Sequence, residues 1–405
     1  MIPFSPPKIY PELIDEIVNV LKSGWITTGP RTKQFEKDIT NYCENKATLC
    51  LNSATAGLEI MLRWYGVKKG DEVIVPVYTY CASANVVVHC GATPILVDVE
   101  NDFNISLDAI KKAITPKTKV IIPVDFSGFP CNYDEINELV NLPEIKKLFV
   151  PNTEEQKKLN RILVLSDAAH SFGATYKGKK TGTLTDASVF SFHAVKNLTT
   201  AEGGAIALNL PDVFDNKEIY NTLCIKSLHG QNKDALAKTQ KGNWRYDIVE
   251  AGFKYNMSDL HAALGLIELK YYEKETLPAR KHIFDYYTKE FSNHAWAEIP
   301  AYETENKTSS YHVYALRIKN ISESQRDLII QKIFDKDVSV NVHFQPLPIL
   351  SFYKKLGYDI KNYPVAFNNY SREISLPVFY GITAEQLKTV TNVVISSVEE
   401  VLKNA

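Results

Sequence analysis

Lys196 stands in the run Ser191-Phe-His-Ala-Val-Lys196-Asn197, just beyond an apolar segment, Ala187 to Phe192. Upstream, a second apolar segment, Ile162 to Asp167, ends on a carboxylate and is followed by Ala-Ala-His170. An amine and an acid at strand ends can hold a carbonyl compound as a Schiff base with a protonated heterocycle beside it. Such an amine must be brought below its free pKa of about 10.4, which burial and neighbouring charge can do. The ionised acid would keep a pyridine nitrogen protonated, so that the ring can accept electrons from a carbanion. A phosphate cradle can come from Asn52-Ser-Ala-Thr-Ala-Gly57, where a strand-like segment turns into a helix. Amides of Ala54 and Thr55 at a helix N-terminus favour a dianion through hydrogen bonding and the helix dipole. Ser191 is a second candidate for the phosphate, and Tyr80, in Pro76-Val-Tyr-Thr-Tyr-Cys81, could stack on a ring. Amine, acid and cradle are the three things that pyridoxal 5'-phosphate (PLP) asks of a protein. Taken alone, each has an ordinary alternative: a solvated lysine, a helix-capping aspartate, a plain helix cap, a core tyrosine. Their order and combination carry the weight.

Elements that would position these residues are visible around them. Short apolar, β-branched runs at 71–76, 93–98, 120–124, 162–167, 187–192 and 204–208 predict central strands covered on both faces. Helical patterns lie between several of them, for example at 55–65 and 107–114, so the chain predicts βαβ units and a mostly parallel sheet. Ligands gather at the carboxyl ends of such strands, where Asp167 and Lys196 fall. From about Asn256 the pattern turns helical, with Ser258 as a cap for a helix running toward Arg280 and Lys281. A strand-like segment at 312–318, a helix at 324–334, prolines at 346 and 348 and a last helix at 383–403 predict a smaller α+β unit. The expected division is 1–265 and 266–405. Residues 141–160, polar and lysine-rich, read as an insertion forming a surface excursion.

The composition excludes other classes. With 46 basic against 47 acidic residues the net charge is -1, which points away from nucleic acid as a partner. The most apolar stretch, 84–97, is interrupted by His89, Gly91 and Pro94 and falls short of the roughly 20 apolar residues of a membrane span. The N-terminus lacks the pattern of a signal peptide, so a cytoplasmic protein is expected. Six scattered cysteines without CxxC spacing predict free thiols and no metal site.

On these residues the chain resembles the DegT/DnrJ/EryC1/StrS sugar aminotransferases, PLP enzymes of fold type I. The matching pieces are SGWITTGP (23–30), NSATAG (52–57), PVYTYCAS (76–83), DAAHSFGA (167–174), SFHAVKNLTTAEGG (191–204), GFKYNMSDLHAALG (252–265) and HFQPLP (343–348). The resemblance implies an α/β, aspartate aminotransferase-like fold: a large PLP-binding domain with a mixed, mostly parallel sheet, plus a smaller α+β C-terminal domain. It implies Lys196 as the Schiff-base lysine, Asp167 as the pyridinium partner, and His170 near the cofactor's 3-hydroxyl. Tyr80 would stack on the ring, while Ala54, Thr55 and Ser191 would hold the phosphate. Asn256 would reach the cofactor phosphate of a partner subunit, hence a homodimer with shared active sites. Thr27, Thr28, His229, Lys254, His312 and His343 would line the sugar-nucleotide site.

The implied reaction moves an amino group from L-glutamate, through pyridoxamine 5'-phosphate (PMP), to a nucleotide-linked 4-keto sugar. UDP is the expected nucleotide and a bacterial surface polysaccharide the expected destination. Amination at C3 of a dTDP-3-keto sugar is the alternative. PMP-dependent sugar dehydratases on the same scaffold carry histidine in place of the lysine, so Lys196 argues for amination. A cysteine desulfurase would need a reactive cysteine on a Gly/Ser-rich loop, and none of the six sits in one; a non-catalytic PLP-binding regulator is the rival outside enzymes. Pro348 stands where the family often has a second histidine, and Ser166 where it often has glutamate.

Overall fold

The structure is a computed structural model and describes residues 1–233 and 244–403. The apolar runs form the expected strands: β1 (Ala47–Leu51), β2 (Glu72–Pro76), β3 (Thr93–Val97), β4 (Thr118–Ile121) and β5 (Leu163–Asp167). After a small hairpin of β6 (Thr175–Tyr176) and β7 (Lys179–Lys180) come β8 (Ala187–Ser191) and β9 (Gly204–Leu208). Seven of these make one sheet in the order β1-β9-β8-β5-β4-β2-β3. Six run parallel; β9 alone is antiparallel to its two neighbours. Every residue of β4, β5 and β9 is buried, as both-face coverage by helices requires. This is the PLP fold type I architecture.

The register has one consequence for the site. Carboxyl ends of the parallel strands and the amino end of β9 meet at the same edge, so Leu51 pairs with Gly204 and Gly204 with Ser191. Loops after β1, β2, β4, β5 and β8 all open there. β4 begins two residues earlier than its sequence pattern suggests and ends at Ile121, because Pro123 lacks the amide to continue the ladder.

The helix Asp259–Tyr271, capped by Ser258 as expected, runs through a π turn (Tyr272–Thr276) into Leu277–Phe291. It passes residues 265 and 266 without a break. Beyond it, β10 (Ala297–Glu298), β12 (Tyr314–Ile318) and β13 (Glu373–Leu376) form a three-stranded antiparallel sheet, while β11 (Lys307–Thr308) joins the β6–β7 hairpin. One apolar cluster contains both Phe190 and Phe192 of the large sheet's edge and Tyr314 and Leu316 of β12. The two sheets therefore share a core.

Residues 141–160 are less loose than their polarity suggests. They carry two short helices, Pro143–Leu148 and Glu154–Leu159. Gln156 is fully buried and donates to the Tyr65 carbonyl at 2.9 Å, and Phe149 and Leu159 are buried too. All six cysteines are free. Among the described residues no helix is long and apolar enough to cross a membrane, and no cluster of His, Cys, Asp or Glu could hold a metal.

Candidate active site

At the strand edge lies a cavity of about 370 Å³. Nine sequence-predicted residues line it: Ala54, Thr55, Tyr80, Asp167, His170, Ser191, Lys196, His312 and His343. They come from three strand ends (β2, β5 and β8), the helix start after β1 and the smaller sheet's side of the chain.

Lys196 sits on the loop that returns from β8 to β9. Thr200 donates its amide to the Phe192 carbonyl at 2.8 Å and Phe192 its own to Gly203 at 2.9 Å, closing the loop's base. Asn197, the next residue, is pinned on both ends: its amide donates to the Ser310 carbonyl at 2.6 Å, and its oxygen meets His312 Nδ1 at 2.8 Å. The lysine is thus aimed by its neighbours. Its amine lines the cavity in dense surroundings, and burial pulls it down to about 8 against the opposing charge of Asp167. That is the direction a nucleophile and proton carrier needs.

Asp167 is buried at the end of β5. Burial raises its carboxyl, opposed by hydrogen bonds from Ser83 Oγ (2.7 Å) and the Ala169 amide (3.2 Å) and by the charge of Lys196. Ser83 is in turn 2.9 Å from Thr79 Oγ1. His170 is buried, its ring 4.3 Å from that of His312 and stacked 5.7 Å from Phe344. Burial and the nearby Lys196 hold His170 well below the usual imidazole range, so it is neutral.

Four observations test whether PLP fits. His170 Nδ1 is a buried polar atom without a hydrogen-bond partner, on a residue lining the cavity. Ser53 caps the helix Ala54–Trp64 by accepting from the Ala56 amide, leaving the amides of Ala54 and Thr55 as first-turn donors. A Cβ on Gly204 would stand 2.4 Å from Ala54 N and 2.5 Å from Ser53 C, so only glycine lets β9 approach the helix start this closely. Tyr80 is 63% exposed at the cavity, which removes the core-packing alternative for its ring. Donor set, amine and acid fit the group.

The remaining predicted residues lie outside this cavity in the single chain. Thr27, Lys254 and His229 are exposed, and Thr28 is hydrogen-bonded to Asn256 Nδ2 at 2.6 Å. Asn256 bridges to Leu51, and Asn52 donates to the carbonyls of Lys254 and Tyr255, so this strip runs beside the cradle. Sequence reasoning missed Ser83, Asn197, Phe344 and Arg280. The first three lie inside or against motifs already quoted, and for Ser83 and Asn197 a polar residue next to the chemistry was the available signal. Arg280, read as part of a basic stretch, is buried and donates to the carbonyls of Tyr311 (2.9 Å) and His312 (2.8 Å), bracing the loop that carries His312.

Known proteins share this fold. The spore coat polysaccharide biosynthesis protein SpsC of Bacillus subtilis is 33% identical, with 100% of this chain and 98% of that protein covered. Spr1654 of Streptococcus pneumoniae, described as a sugar aminotransferase and solved in its PMP form, superposes with a TM-score of 0.95 at 45% identity, covering 99% and 100% of the two chains. Its PLP form gives 0.94. PseC of Helicobacter pylori, an aminotransferase in the biosynthesis of pseudoaminic acid, gives 0.85 at 26% identity over 98% and 99%. The sequence profile of the DegT/DnrJ/EryC1/StrS aminotransferases matches residues 7–395. By this match, and by the order in which its strand ends deliver Asp167 and Lys196, the chain belongs to the DegT/DnrJ/EryC1/StrS aminotransferase family.

Proposed function

We propose that this chain transfers the amino group of L-glutamate to C4 of a nucleotide-linked 4-keto sugar, with UDP as the nucleotide, for a surface polysaccharide. The single observation that carries the aminotransferase reading is the half-buried Lys196 sharing one cavity with Asp167 and the Ala54–Thr55 helix start. SpsC's part in a spore coat polysaccharide and PseC's in pseudoaminic acid support a glycan destination. PLP, when bound, supplies a carbonyl that takes up an amino group and a ring that stores the electron pair left on the amino-bearing carbon.

The chain's own residues supply the rest. Asp167 would hold the ring nitrogen's proton by its charge, with Ser83 and Ala169 fixing the carboxylate from behind. Ala54, Thr55 and Ser191 would bind the phosphate, Tyr80 would stack on the ring, and His170 Nδ1 would meet the 3-hydroxyl. The freed Lys196 amine would take the proton from the glutamate Cα as general base and return one as general acid. In the second half-reaction the same amine would deliver the proton to the sugar carbon. His312 and His343 would face the substrate.

A second copy of the chain would complete the site. Thr27, Thr28, His229, Lys254 and Asn256 lie outside the cavity, where Ile26, next to Thr27, and Val249, bonded to Gly230, are exposed. We infer a homodimer in which Asn256 reaches the partner's cofactor phosphate. Mixing inactive Lys196→Ala with inactive Asn256→Asp protein should restore activity in hybrid dimers; no recovery on subunit exchange would defeat the shared site.

The chemistry is tested by mixing the PLP-loaded protein with L-glutamate and assaying 2-oxoglutarate, which Lys196→Ala should not form. UDP-, dTDP- and GDP-linked 4-keto and 3-keto sugars are then offered and products read by mass spectrometry. Amination of 3-keto sugars alone would overturn the C4 assignment.

A further inference from the structure

His343 lines the cavity, and its ring is held from behind. Asn341 exchanges both backbone hydrogen bonds with Ser375 (3.1 and 2.8 Å), laying the segment that leads to His343 beside β13. Residues two apart on a strand share a face, and Glu373 and Ser375, both fully buried, do so here. Ser375 Oγ donates to Glu373 Oε1 at 2.5 Å and stands 2.9 Å from His343 Nδ1. The His343 backbone amide lies 3.2 Å from both Glu373 Oε2 and Ser375 Oγ.

A hydroxyl has one proton to give. An ionised Glu373 only accepts, so the Ser375 proton points to it, His343 must carry its proton on Nδ1, and Nε2 offers a lone pair. A protonated Glu373 can donate to Ser375, which then donates to Nδ1, and the imidazole proton moves to Nε2. We infer that Glu373 and Ser375 are positioning residues: through this chain of hydrogen bonds, the protonation state of Glu373 decides whether His343 Nε2 donates to the substrate or accepts from it. The inference rests on the reading of His343 as a substrate contact.

The surroundings set where the change falls. Arg326 from the helix Glu323–Phe334 and Arg317 from β12 face Glu373 and favour its charge, while Tyr78 comes from the loop after β2. Yet Arg317 pairs with Glu298 and Arg326 with Asp327 and Glu323, and Glu373 has no ion pair among the described residues. Burial prevails and pushes the Glu373 carboxyl up to about 8. His343, desolvated at the cavity wall and beside Lys196, is held down to about 3 and stays neutral. Below about pH 8, then, Nε2 carries the proton and suits an oxygen that only accepts, such as a carboxylate or a keto group. Above it, the lone pair faces the cavity.

The test measures KM and kcat of the holoenzyme for amino donor and keto-sugar acceptor from pH 6.5 to 9.5. KM for one substrate should rise roughly 3–10-fold through pH 8, the range one hydrogen bond commands, with a smaller change in kcat. In Glu373→Gln the amide oxygen takes the place that receives the His343 backbone N–H and the NH2 donates to Ser375, so KM should stay flat. Ser375→Ala should lose the inflection and Ser375→Thr regain it. Nitrogen NMR of histidine-labelled holoenzyme reads the tautomer directly and should show the proton leaving Nε2 over the same range. An inflection that survives in Glu373→Gln, or a single tautomer throughout in the parent, overturns the relay. A His343→Gln variant with parental KM values, while the parent does show the tautomer change, would instead overturn the substrate contact.

Discussion

Ser83 Oγ donates to Asp167 Oδ2 across 2.7 Å, tying the helix Ala82–His89 to the acid at the end of β5. Burial drives the Asp167 carboxyl up and this bond pulls it down. Ser83→Ala should therefore raise the carboxyl further and weaken its hold on a protonated ring nitrogen. The loss of one hydrogen bond to a charged group is about 1.5–3 kcal/mol, so PLP affinity should fall roughly 10- to 150-fold. Titration of cofactor-free protein, followed by the absorbance of bound PLP, measures it; parental affinity would show that the bond leaves the acid's work untouched.

The Lys196 amine can attack a carbonyl only when neutral. Because burial brings it to about 8, the rate of PLP capture by cofactor-free protein should climb with pH up to about 8 and then level. Asp167 opposes the shift by stabilising the ammonium, so in Asp167→Asn the plateau should begin at lower pH. Stopped-flow absorbance, with a free lysine derivative as control for the cofactor's own ionisations, separates the two. A rate in the parent that still climbs in proportion to hydroxide above pH 9 would mean the amine titrates as an ordinary lysine.

Gly204→Ala puts a methyl group 2.4 Å from Ala54 N and 2.8 Å from the Phe190 carbonyl, against backbone on both sides. Backbone cannot swing aside, so β9 or the helix start must move. Overpacking of this kind costs about 1–3 kcal/mol, and here it falls on the cradle. The variant should melt lower and bind PLP more weakly, and inorganic phosphate should compete less well with PLP in it than in the parent. Melting curves with and without PLP check both parts.

What the sequence made legible follows from how local each signal was. The strands at 72–76, 163–167 and 187–191 announced themselves because a strand buried on both faces must be apolar along its whole length. Asp167 and Lys196 were found because their chemistry is written at the ends of such runs. The antiparallel sense of β9 was hidden, since Gly204–Leu208 reads alike in either direction. Glu373 and Ser375 were invisible for another reason: 30 residues separate Glu373 from His343, and only the pairing of Asn341 with Ser375 brings them together. Residues 141–160 hid their anchors, because the surrounding lysines mask Phe149, Gln156 and Leu159, which are buried. Thr28 and Asn256 face each other instead of the cavity, and the role proposed for them needs a second chain that one sequence cannot display.

Glu268, on the helix Asp259–Tyr271, is buried, and its Oε1 has no hydrogen-bond partner. Burial raises its carboxyl to about 8, eased by a hydrogen bond from the Thr199 backbone in the Lys196 loop. An unfolded glutamate ionises near 4.3. Between those values the folded chain binds the extra proton, so stability must fall as pH rises from about 4.3 to about 8 and stay low above. Glu268→Gln keeps the shape and one acceptor for Thr199 but removes the titration. The variant should match the parent at pH 5 and exceed it by about 2–4 kcal/mol at pH 8.5, seen as a smaller loss of melting temperature between the two. If both proteins lose the same number of degrees, Glu268 is ionised in the fold and some other group carries its charge.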